Sequence, residues 1–298
     1  MDGGIDPATA AGLLTRVREA RPLVHHITNT VTQNDVANAT LAIGASPVMA
    51  HAPEEVEAMV AQARALVLNV GTLTVAAVDA MVRAARRANA GGIPVVLDPV
   101  GVGATPFRTA QVERLLTEAR VACVRGNTGE IAALAGRPGM VRGVDAVSDG
   151  GADSADDRVR LASALAVRLR CAVAATAEVD VLTDGARFVL LPHGHPWLGQ
   201  ITGSGCMATA CIGAFAAVEE DALAAAVAGL ACFEIAAEQA AKIASGPGSF
   251  RVALFDALAA LDPGTVAARG TWRVERVIPA GGPAAGHDDT KAGRGSRS

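Results

Sequence analysis

Short apolar runs alternate with longer amphipathic stretches along most of this chain. The runs PLVHHIT, SPVMA, ALVLNVG, IPVVLDPVG, VACVRGN and CAVAAT contain stretches with the length and the Val/Leu/Ile content of buried strands. The stretches between them repeat apolar residues every three or four positions, as a helix packed on one side does. Parallel strands joined by crossover helices produce this order. We therefore predict an α/β fold with a mostly parallel central sheet and helices on both of its faces.

Capping residues mark where several of the helices begin and end. Asp6 followed by Pro7 predicts the start of the first helix, and Gly44 predicts the end of the next one. The alternation changes at DVLTDGARFVLL, where Asp-Gly between two apolar runs predicts an antiparallel hairpin at one edge of the sheet. Further predicted helices are PEEVEAMVAQA, VAAVDAMVRAARRANA, VERLLTEA, EIAALAG, VRLASALAVRLR and FRVALFDALAAL, with two Ala-rich helices that begin near Cys206 and Asp221.

The composition agrees with this architecture and bounds the domain. Hydrophobic residues make up 51% of the 298 positions and aromatic residues only 3%, with no tyrosine. This length accommodates one large α/β domain, for which we predict the boundaries 1–278. The tail at 279–298 has too few large apolar residues to pack, so we expect it to be disordered. The segment GVDAVSDGGADSADD is predicted to be a surface loop.

The charge pattern narrows the class of partner. The formal net charge is −4 and the pI is about 5.9, with acids and bases interspersed, so neither a nucleic acid nor an anionic membrane is an expected partner. The N-terminus lacks a basic segment followed by a long apolar one, and Gly, Pro or charge interrupts the later apolar stretches. We therefore expect a cytoplasmic protein that acts on small molecules.

The cysteines and histidines do not form a recognisable metal or disulfide framework. Five cysteines without C-x-x-C spacing indicate neither a disulfide set nor a zinc site. Cys123 and Cys171 fall in strand-like runs, where a small buried hydrophobe is expected. The histidines lack H-E-x-x-H spacing, and His25 and His26 are the pair expected nearest a ligand.

Several polar residues follow the predicted strands directly. Ligands of parallel sheets bind at the carboxyl ends of the strands, so these residues are candidates for one crevice. Turn chemistry alone also explains each of them singly. The residues are Asn29, Gly71, Thr72, Asp98, Arg125, Asn127 and Thr176.

Two carboxylates among the candidates have the chemistry of a magnesium site. Asp98 ends the run VVL and precedes the Gly-rich loop PVGVGATP, and Glu130 opens a helix after another strand. Mg²⁺ commonly uses one or two carboxylates together with phosphate oxygens and retained waters. A structural alternative stays open for Glu130, because Asn127 three residues earlier makes the pattern of a capping box.

The stretch QITGSGCMATACIGAF is the strongest local signal in the chain. Gly203 and Gly205 allow backbone N–H groups to converge at the start of a helix, which favours an anion such as a phosphoryl group. The stretch has no Walker A lysine and does not follow the first strand as a Rossmann fingerprint does. Cys206 stands at this helix N-terminus, where a lowered thiol pKa is expected and the thiolate can accept a proton. The alternative is a small residue admitted for packing.

The blocks HHITNTVTQNDVANATLAIGASPVMAHAPEEVEAM, LVLNVGTL, VVLDPVGVGAT, VRGNTGEIAALAG, AATAEVDVLTDG and ITGSGCMATACIGAF occur in an order and spacing that resemble the hydroxyethylthiazole kinase family. The resemblance implies the ribokinase-like fold and a homotrimer with active sites between subunits. It also implies transfer of the γ-phosphoryl group of ATP, with Mg²⁺, to the primary alcohol of 4-methyl-5-(2-hydroxyethyl)thiazole in thiamine salvage.

The resemblance carries a role to individual positions of this chain. Cys206 stands where most ribokinase-like enzymes have an aspartate, which implies a weak or indirect base. Phosphoryl transfer tolerates such a base because its loose transition state depends chiefly on positioning and charge neutralisation. The implied roles are thiazole contact for Asn29, Met49, Gly71 and Gly203; ATP contact for Arg125, Asn127 and Thr176; Mg²⁺ binding for Asp98 and Glu130; and catalysis for Cys206, Gly203 and Gly205.

Two departures from the family pattern and three alternatives remain. Ala177 replaces a glycine usual in the family, and Trp197 precedes the turn where smaller residues are common. The alternatives are another ribokinase-like alcohol kinase, acting for instance on hydroxymethylpyrimidine; a redox or hydrolytic enzyme that uses Cys206 with a partner such as His195; and a non-catalytic nucleotide-binding regulator. The HITNTVTQN and SPVMA blocks disfavour the first, and the paired candidate metal acids disfavour the last.

Overall fold

A computed structural model describes residues 4–136, 141–142, 145–146 and 154–277 of the chain. The predicted tail at 279–298 and most of the predicted Gly/Asp/Ser-rich loop lie outside these residues. The domain boundaries 1–278 therefore stay a prediction.

Nine strands form one sheet, and the six at one side of it are parallel. The sheet order is β11-β10-β9-β8-β5-β4-β3-β1-β2, with antiparallel pairing from β8 through β11. A separate antiparallel pair, β6 with β7, lies outside this sheet. The strands are β1 Leu23–Ile27, β2 Ser46–Val48, β3 Ala65–Asn69, β4 Val95–Asp98, β5 Cys123–Asn127, β6 Val141–Arg142, β7 Asp145–Ala146, β8 Ala172–Thr176, β9 Asp180–Thr183, β10 Arg187–Leu191 and β11 Val274–Arg276.

Helices cover the sheet on both faces, as predicted. The crossover segments that join the parallel strands supply most of them. The helices are α1 Pro7–Ala20, α2 Gln33–Ile43, α3 Val56–Val60, α4 Val75–Ala90, α5 Pro106–Glu118, α6 Thr128–Leu134, α7 Ala155–Leu169, α8 Ser204–Ala216, α9 Ala222–Ile243, α10 Pro247–Ala260 and α11 Pro263–Arg269, with a 3₁₀ helix at Pro196–Gln200.

Side chains that alternate along the strands build two separate cores. Ala65 and Val67 of β3 face the core formed with α1, α2, α8, α9 and α10, whereas Leu66 and Leu68 face the core formed with α3, α4, α5 and α7. Within the described residues, α9 is the one helix long and apolar enough to cross a membrane, and most of it is buried inside the protein. Its apolar surface is therefore explained by packing.

The predicted hairpin is confirmed, and three details differ from the sequence prediction. β9 and β10 pair antiparallel on either side of Asp184-Gly185. The predicted helix PEEVEAMVAQA is helical only at Val56–Val60, because turns flank it: the N–H of Glu55 donates to the carbonyl of Ala52, and the N–H of Gln62 donates to that of Met59. The edge strand β11 and the helix α11 were not predicted; Asp262 caps α11 through the backbone N–H of Thr265.

Candidate active site

Three side chains at the carboxyl ends of neighbouring strands form one hydrogen-bonded row. Asn69, the last residue of β3, lies beside Asp98, the last residue of β4. The Nδ2 of Asn69 donates to Asp98 Oδ2 at 3.0 Å, and its Oδ1 accepts from Asn29 Nδ2 at 2.9 Å. All three side chains are buried. The row therefore fixes the orientation of the Asp98 carboxylate.

Cys206 joins this row from the first turn of α8. The Nδ2 atoms of Asn29 and Asn69 lie 3.4 Å and 3.2 Å from its Sγ and donate to it. Thr209, one turn further along α8, donates its hydroxyl to Asp98 Oδ2 at 2.9 Å. The start of α8 is thereby connected to both ends of the row, and the sulfur lies close to the carboxylate.

The expectation of a lowered pKa for the Cys206 thiol is wrong. Burial raises the pKa of this thiol, and the nearby Asp98 carboxylate raises it further. Hydrogen bonds from Thr32 and Asn69 and the charge of Arg125 lower the pKa, but they are outweighed. The position at a helix N-terminus does not decide the outcome, because the sulfur is also desolvated beside an anion. Cys206 is therefore a protonated thiol at neutral pH.

The first turn of α8 presents backbone N–H groups that have no internal acceptor. Among the described residues, no hydrogen-bond acceptor faces the amides of residues 204–206. Gly203 has a φ of 86°, in the left-handed region, and a Cβ there would lie 2.5 Å from the Thr32 side chain. A Cβ on Gly205 would lie 2.3 Å from Arg125 Nη1. Glycine at both positions therefore leaves room for the Thr32 and Arg125 side chains beside amides that can bind an anion.

Arg125 faces the same turn from the middle of the sheet. Its Nη2 donates to Thr176 Oγ1 at 2.7 Å, and Thr176 lies opposite Asn127 in the pairing of β5 with β8. A cavity of about 200 Å³ is lined by the guanidinium, Thr176 and the start of α8. A second cavity, of about 630 Å³, shares lining residues with it, namely Ala177, Leu198, Gly199 and Glu234. The two together make a cleft with a cationic group in its narrower part.

Glu130 accepts backbone hydrogen bonds with both of its carboxylate oxygens. Oε2 accepts from the N–H of Asn127 at 2.8 Å, while Asn127 Oδ1 accepts from the N–H of Glu130 at 2.9 Å. This is the capping box that the sequence left open as a structural role. Oε1 accepts from the N–H of Gly101 at 2.7 Å. Glu130 therefore ties the loop after β4 to the start of α6.

The two buried acids have the properties of a cation site. Burial raises the pKa of Glu130 to about 7, and repulsion from Asp98 adds to the increase. Burial also raises the pKa of Asp98, against the attraction of Arg125. Asp98 Oδ1 is buried and has no hydrogen-bond partner. A divalent cation would satisfy this oxygen and relieve the repulsion, so the donor set fits Mg²⁺ held by carboxylates together with phosphate oxygens and retained waters.

A cavity larger than either part of the cleft lies at the other end of the strands. It measures about 930 Å³, and its lining includes Ala63, Pro94 and Ala122, which precede β3, β4 and β5. None of the candidate site residues lines it. Ligands of parallel sheets bind at the carboxyl ends, where the row and the cleft are found.

Comparisons with known proteins identify the family. A model of the Hydroxyethylthiazole kinase family matches residues 14–264. The chain belongs to the hydroxyethylthiazole kinase family. It is 56% identical to the hydroxyethylthiazole kinase of Chloroflexus aggregans, over 83% of this chain and 87% of that protein. It is 54% identical to that of Desulforudis audaxviator, over 90% of this chain and 95% of that protein.

Solved structures give the same family and the wider fold. The hydroxyethylthiazole kinase of Pyrococcus horikoshii OT3 is 43% identical, has a TM-score of 0.80, and is matched over 90% of this chain and 99% of that chain. A ribokinase-like superfamily protein from Enterococcus faecalis has a TM-score of 0.55 at 12% identity, which bears on the fold alone. The predicted family and the predicted ribokinase-like fold are both confirmed.

Two of the positions expected to contact the substrate of a hydroxyethylthiazole kinase, Gly71 and Met49, have different neighbours. The N–H of Gly71 donates to Asn69 Oδ1 at 2.9 Å, and a Cβ on Gly71 would lie 2.9 Å from the Cβ of Asn29. Met49 follows β2 and is half-buried; its carbonyl accepts from Nδ1 of His51, whose Nε2 accepts from the N–H of Thr28. The roles of these residues in binding stay predictions.

Two residues that organise the site of this hydroxyethylthiazole kinase family member were not predicted from the sequence. Asn69 ends β3 just as Asp98 ends β4, so its position at a strand end marks it equally as a candidate. Thr209 lies three residues after Cys206, a spacing that puts both side chains on one face of α8. Both signals were present in the sequence.

A second buried acid pair was also missed, and no local pattern reveals it. Asp180 begins β9 and Glu234 lies in the middle of α9, and both line the smaller cavity with Arg125. Burial raises the pKa of Glu234 well above its ordinary value, and the adjacent Asp180 raises it further; burial raises the pKa of Asp180 as well. Both shifts favour the protonated form, so the pair carries less negative charge beside Arg125 than two exposed carboxylates would.

Proposed function

We propose that this protein transfers the γ-phosphoryl group of ATP, with Mg²⁺, to the hydroxyethyl oxygen of 4-methyl-5-(2-hydroxyethyl)thiazole, in the cytoplasm and as a step of thiamine salvage. The observation that carries the proposal is the contact of Asn69 with both Cys206 and Asp98, beside the unpaired amides of residues 204–206. Three groups therefore lie in one place: Cys206, which can face an alcohol; Asp98, which suits a cation; and the turn at 204–206, which can bind an anion. A phosphoryl transfer requires these three elements.

The alcohol is bound on the side of the row that Asn29, Met49 and Gly71 border. Asn29 is held rigidly, because its Oδ1 accepts from the N–H of Val31 and from the N–H and hydroxyl of Thr32. Its Nδ2 points to Cys206 at 3.4 Å. An alcohol seated against these residues presents its oxygen toward Cys206 and the turn at Gly203.

The phosphates of ATP lie in the cleft that Arg125 and Thr176 line. Arg125 is a fixed cation, since Thr176 orients its guanidinium, and a planar guanidinium suits phosphate oxygens. The amides of residues 204–206 then receive the charge that builds up on the transferring group. Asn127 borders the same strand end and holds Glu130 in position. The nucleoside is accommodated by the adjoining cavity of about 630 Å³.

Asp98 and Glu130 would hold the Mg²⁺: Asp98 has an unpartnered Oδ1 to offer, whereas both Glu130 oxygens already accept backbone hydrogen bonds and would act at longer range. When bound, the ion neutralises charge on the phosphate oxygens of ATP. Asn69 and Thr209 fix the orientation of the Asp98 carboxylate, because both donate hydrogen bonds to its Oδ2. The other oxygen of that carboxylate is thereby left for the ion.

Cys206 has a supporting role toward the alcohol. A thiol with a raised pKa is a poor base at neutral pH, so the alcohol is not deprotonated before phosphoryl transfer begins. The loose transition state requires little deprotonation, and the proton leaves the alcohol oxygen late. Cys206 orients the alcohol oxygen, and its minor thiolate form, whose fraction grows with pH, accepts the proton at that stage.

A homotrimer with sites between subunits completes the proposal. Three apolar side chains are exposed in segments that follow β1, β3 and β4, near the row: Val31 at 66%, Val75 at 53% and Phe107 at 47%. Apolar residues grouped at the rim of a site support burial by a partner. Sedimentation velocity tests this: the wild type should be trimeric, and Phe107→Ser with Val75→Ser should weaken the trimer, whereas Val167→Ser, exposed on α7, should not.

The reaction itself is tested with purified protein, Mg²⁺ and a panel of alcohols. We expect ADP release with the thiazole alcohol and much less with hydroxymethylpyrimidine. Preference for the pyrimidine alcohol would favour the rival ribokinase-like kinase. ATP binding that stabilises the protein without ADP release for any alcohol would favour the regulator.

A further inference from the structure

One arginine connects the two loops that carry the proposed substrate and metal residues. Arg108 lies in the first turn of α5, and its side chain is half-buried. Its Nη1 donates to the carbonyls of Val70 and Val100, the latter at 2.8 Å, and its Nη2 donates to the carbonyl of Gly71 at 3.1 Å. Val70 and Gly71 follow β3, and Val100 follows β4. A single guanidinium therefore holds both loops at the carboxyl edge of the sheet.

The loop after β3 leads directly into the row that faces the alcohol. The Gly71 carbonyl binds Arg108, while the Gly71 N–H donates to Asn69 Oδ1. Asn69 in turn contacts Cys206. Movement of this loop would therefore shift the side-chain amide that orients the thiol.

The loop after β4 leads to the proposed metal acids. The Val100 carbonyl binds Arg108, and the next residue, Gly101, donates its N–H to Glu130 Oε1 at 2.7 Å. A change in the orientation of the Glu130 carboxylate therefore alters a bond to this loop. A path of hydrogen bonds and short backbone segments runs from Glu130 through Arg108 to Asn69.

We propose that Arg108 is a positioning residue through which binding of the metal-bound nucleotide and binding of the alcohol depend on each other. This inference rests on the proposed function. The guanidinium presents donors in a planar fork, so it can hold carbonyls from two loops at once. The ammonium group of lysine is a compact point charge on a flexible stem and cannot reproduce that fork. Arg108→Lys should therefore keep the charge and lose the coupling.

The test measures binding of the thiazole alcohol by calorimetry, with no turnover. Each protein is titrated with the alcohol alone and then in the presence of Mg²⁺ and a non-transferable ATP analogue. The ratio of the two dissociation constants is the coupling between the sites, and it is reciprocal by linkage. The variants are Arg108→Met and Arg108→Lys. The control is Arg114→Met, on the same helix, whose exposed guanidinium pairs with Asp79 and Glu118.

We expect the wild type and Arg114→Met to bind the alcohol at least about fivefold more tightly with the nucleotide analogue and Mg²⁺ present. In both Arg108 variants the ratio should fall toward one. Their affinity for the alcohol should fall by about tenfold or more, because charged hydrogen bonds to the loop are lost. Melting curves confirm folding; where Arg108→Met does not fold, Arg108→Lys decides.

Two results would overturn the inference. One is a ratio of one in the wild type, and the other is a folded Arg108 variant whose ratio equals that of Arg114→Met. Failure of the proposed function gives a different result, in which the wild type neither binds the thiazole alcohol nor forms its phosphate. The two failures are therefore distinguishable.

Discussion

The side-chain nitrogen of Asn69 donates to the sulfur of Cys206 at 3.2 Å and to Asp98 Oδ2 at 3.0 Å. The oxygen of the same amide accepts from Asn29 and from the N–H of Gly71. Every hydrogen-bonding position of this buried side chain is therefore used. Asn69 holds the proposed catalytic thiol and a proposed metal acid in one fixed relationship.

Replacing Asn69 should damage turnover more than stability. Asn69→Ala removes the donor to both groups and leaves Asp98 Oδ2 with only Thr209, so we expect kcat to fall by about a hundredfold. Steady-state kinetics with a melting curve provide the measurement. Asn38→Ala, which removes an amide pair with Asn34 on α2, is the control and should leave kcat unchanged. Equal kinetics for the two variants would refute the role of Asn69.

Replacing Cys206 should lower turnover and leave nucleotide binding nearly intact. Cys206→Ala removes the group beside the alcohol but none that we assign to the phosphates, so the dissociation constant of ATP should stay within about twofold. Cys206→Asp should keep or raise activity, since a carboxylate is ionised at neutral pH. Loss of ATP binding in Cys206→Ala, or complete inactivity of a folded Cys206→Asp, would contradict the assignment.

The raised pKa of Cys206 predicts a particular pH profile. Because burial and Asp98 disfavour the thiolate, the thiolate fraction keeps growing above the pH at which an ordinary cysteine ionises. If the thiolate accepts the proton, kcat of the wild type should still increase at alkaline pH, and this increase should be absent from Cys206→Ala. Parallel profiles for the two proteins would exclude the thiolate as the proton acceptor.

The raised pKa of Glu130 predicts that the stabilisation of the protein by Mg²⁺ depends on pH. Its pKa is raised to about 7, so the folded protein binds more protons than the unfolded chain between the ordinary pKa and that value. The free energy of unfolding therefore falls as pH rises through this window. Mg²⁺ offsets the loss only where the carboxylate is ionised, so the Mg²⁺-induced rise in Tm should be larger at about pH 8 than at about pH 6. Glu130→Gln should reduce this difference, and equal shifts in the wild type at both pH values would contradict the metal role.

Replacing Gly205 with alanine should weaken the binding of ATP. A Cβ at this position would lie 2.3 Å from Arg125 Nη1, so Gly205→Ala should displace the guanidinium and raise the KM for ATP by about tenfold or more. Gly12→Ala is the matched control, because nothing lies within 4 Å of its Cβ on α1. An unchanged KM for ATP in Gly205→Ala would show that Arg125 does not need its present position.

Local patterns predicted most of the fold because each element agrees with its own periodicity and caps. The hairpin at Asp184-Gly185 and the helix start at Asp6 follow from residues that adopt those conformations in isolation. β11 could not be predicted, since a short edge strand depends on pairing with β10 rather than on its own pattern.

The site was only partly predictable for a similar reason. Strand ends and the glycine-rich turn are local features, and they selected the Asp98 and Gly203 regions correctly as neighbours in space. The pKa of Cys206 depends instead on burial and on Asp98, which arrive from distant parts of the chain. The pair of Asp180 with Glu234 joins residues on β9 and α9. Such long-range electrostatics need the folded arrangement.

Product analysis by mass spectrometry shows whether the thiazole alcohol accepts the phosphoryl group. Purified protein is incubated with the thiazole alcohol, ATP and Mg²⁺, and ADP and thiazole phosphate are quantified together. If the proposed function is right, the two products form in equal amounts, and both form far more slowly with Asn69→Ala. ADP without thiazole phosphate, or neither product from a folded protein that binds both substrates, would contradict it.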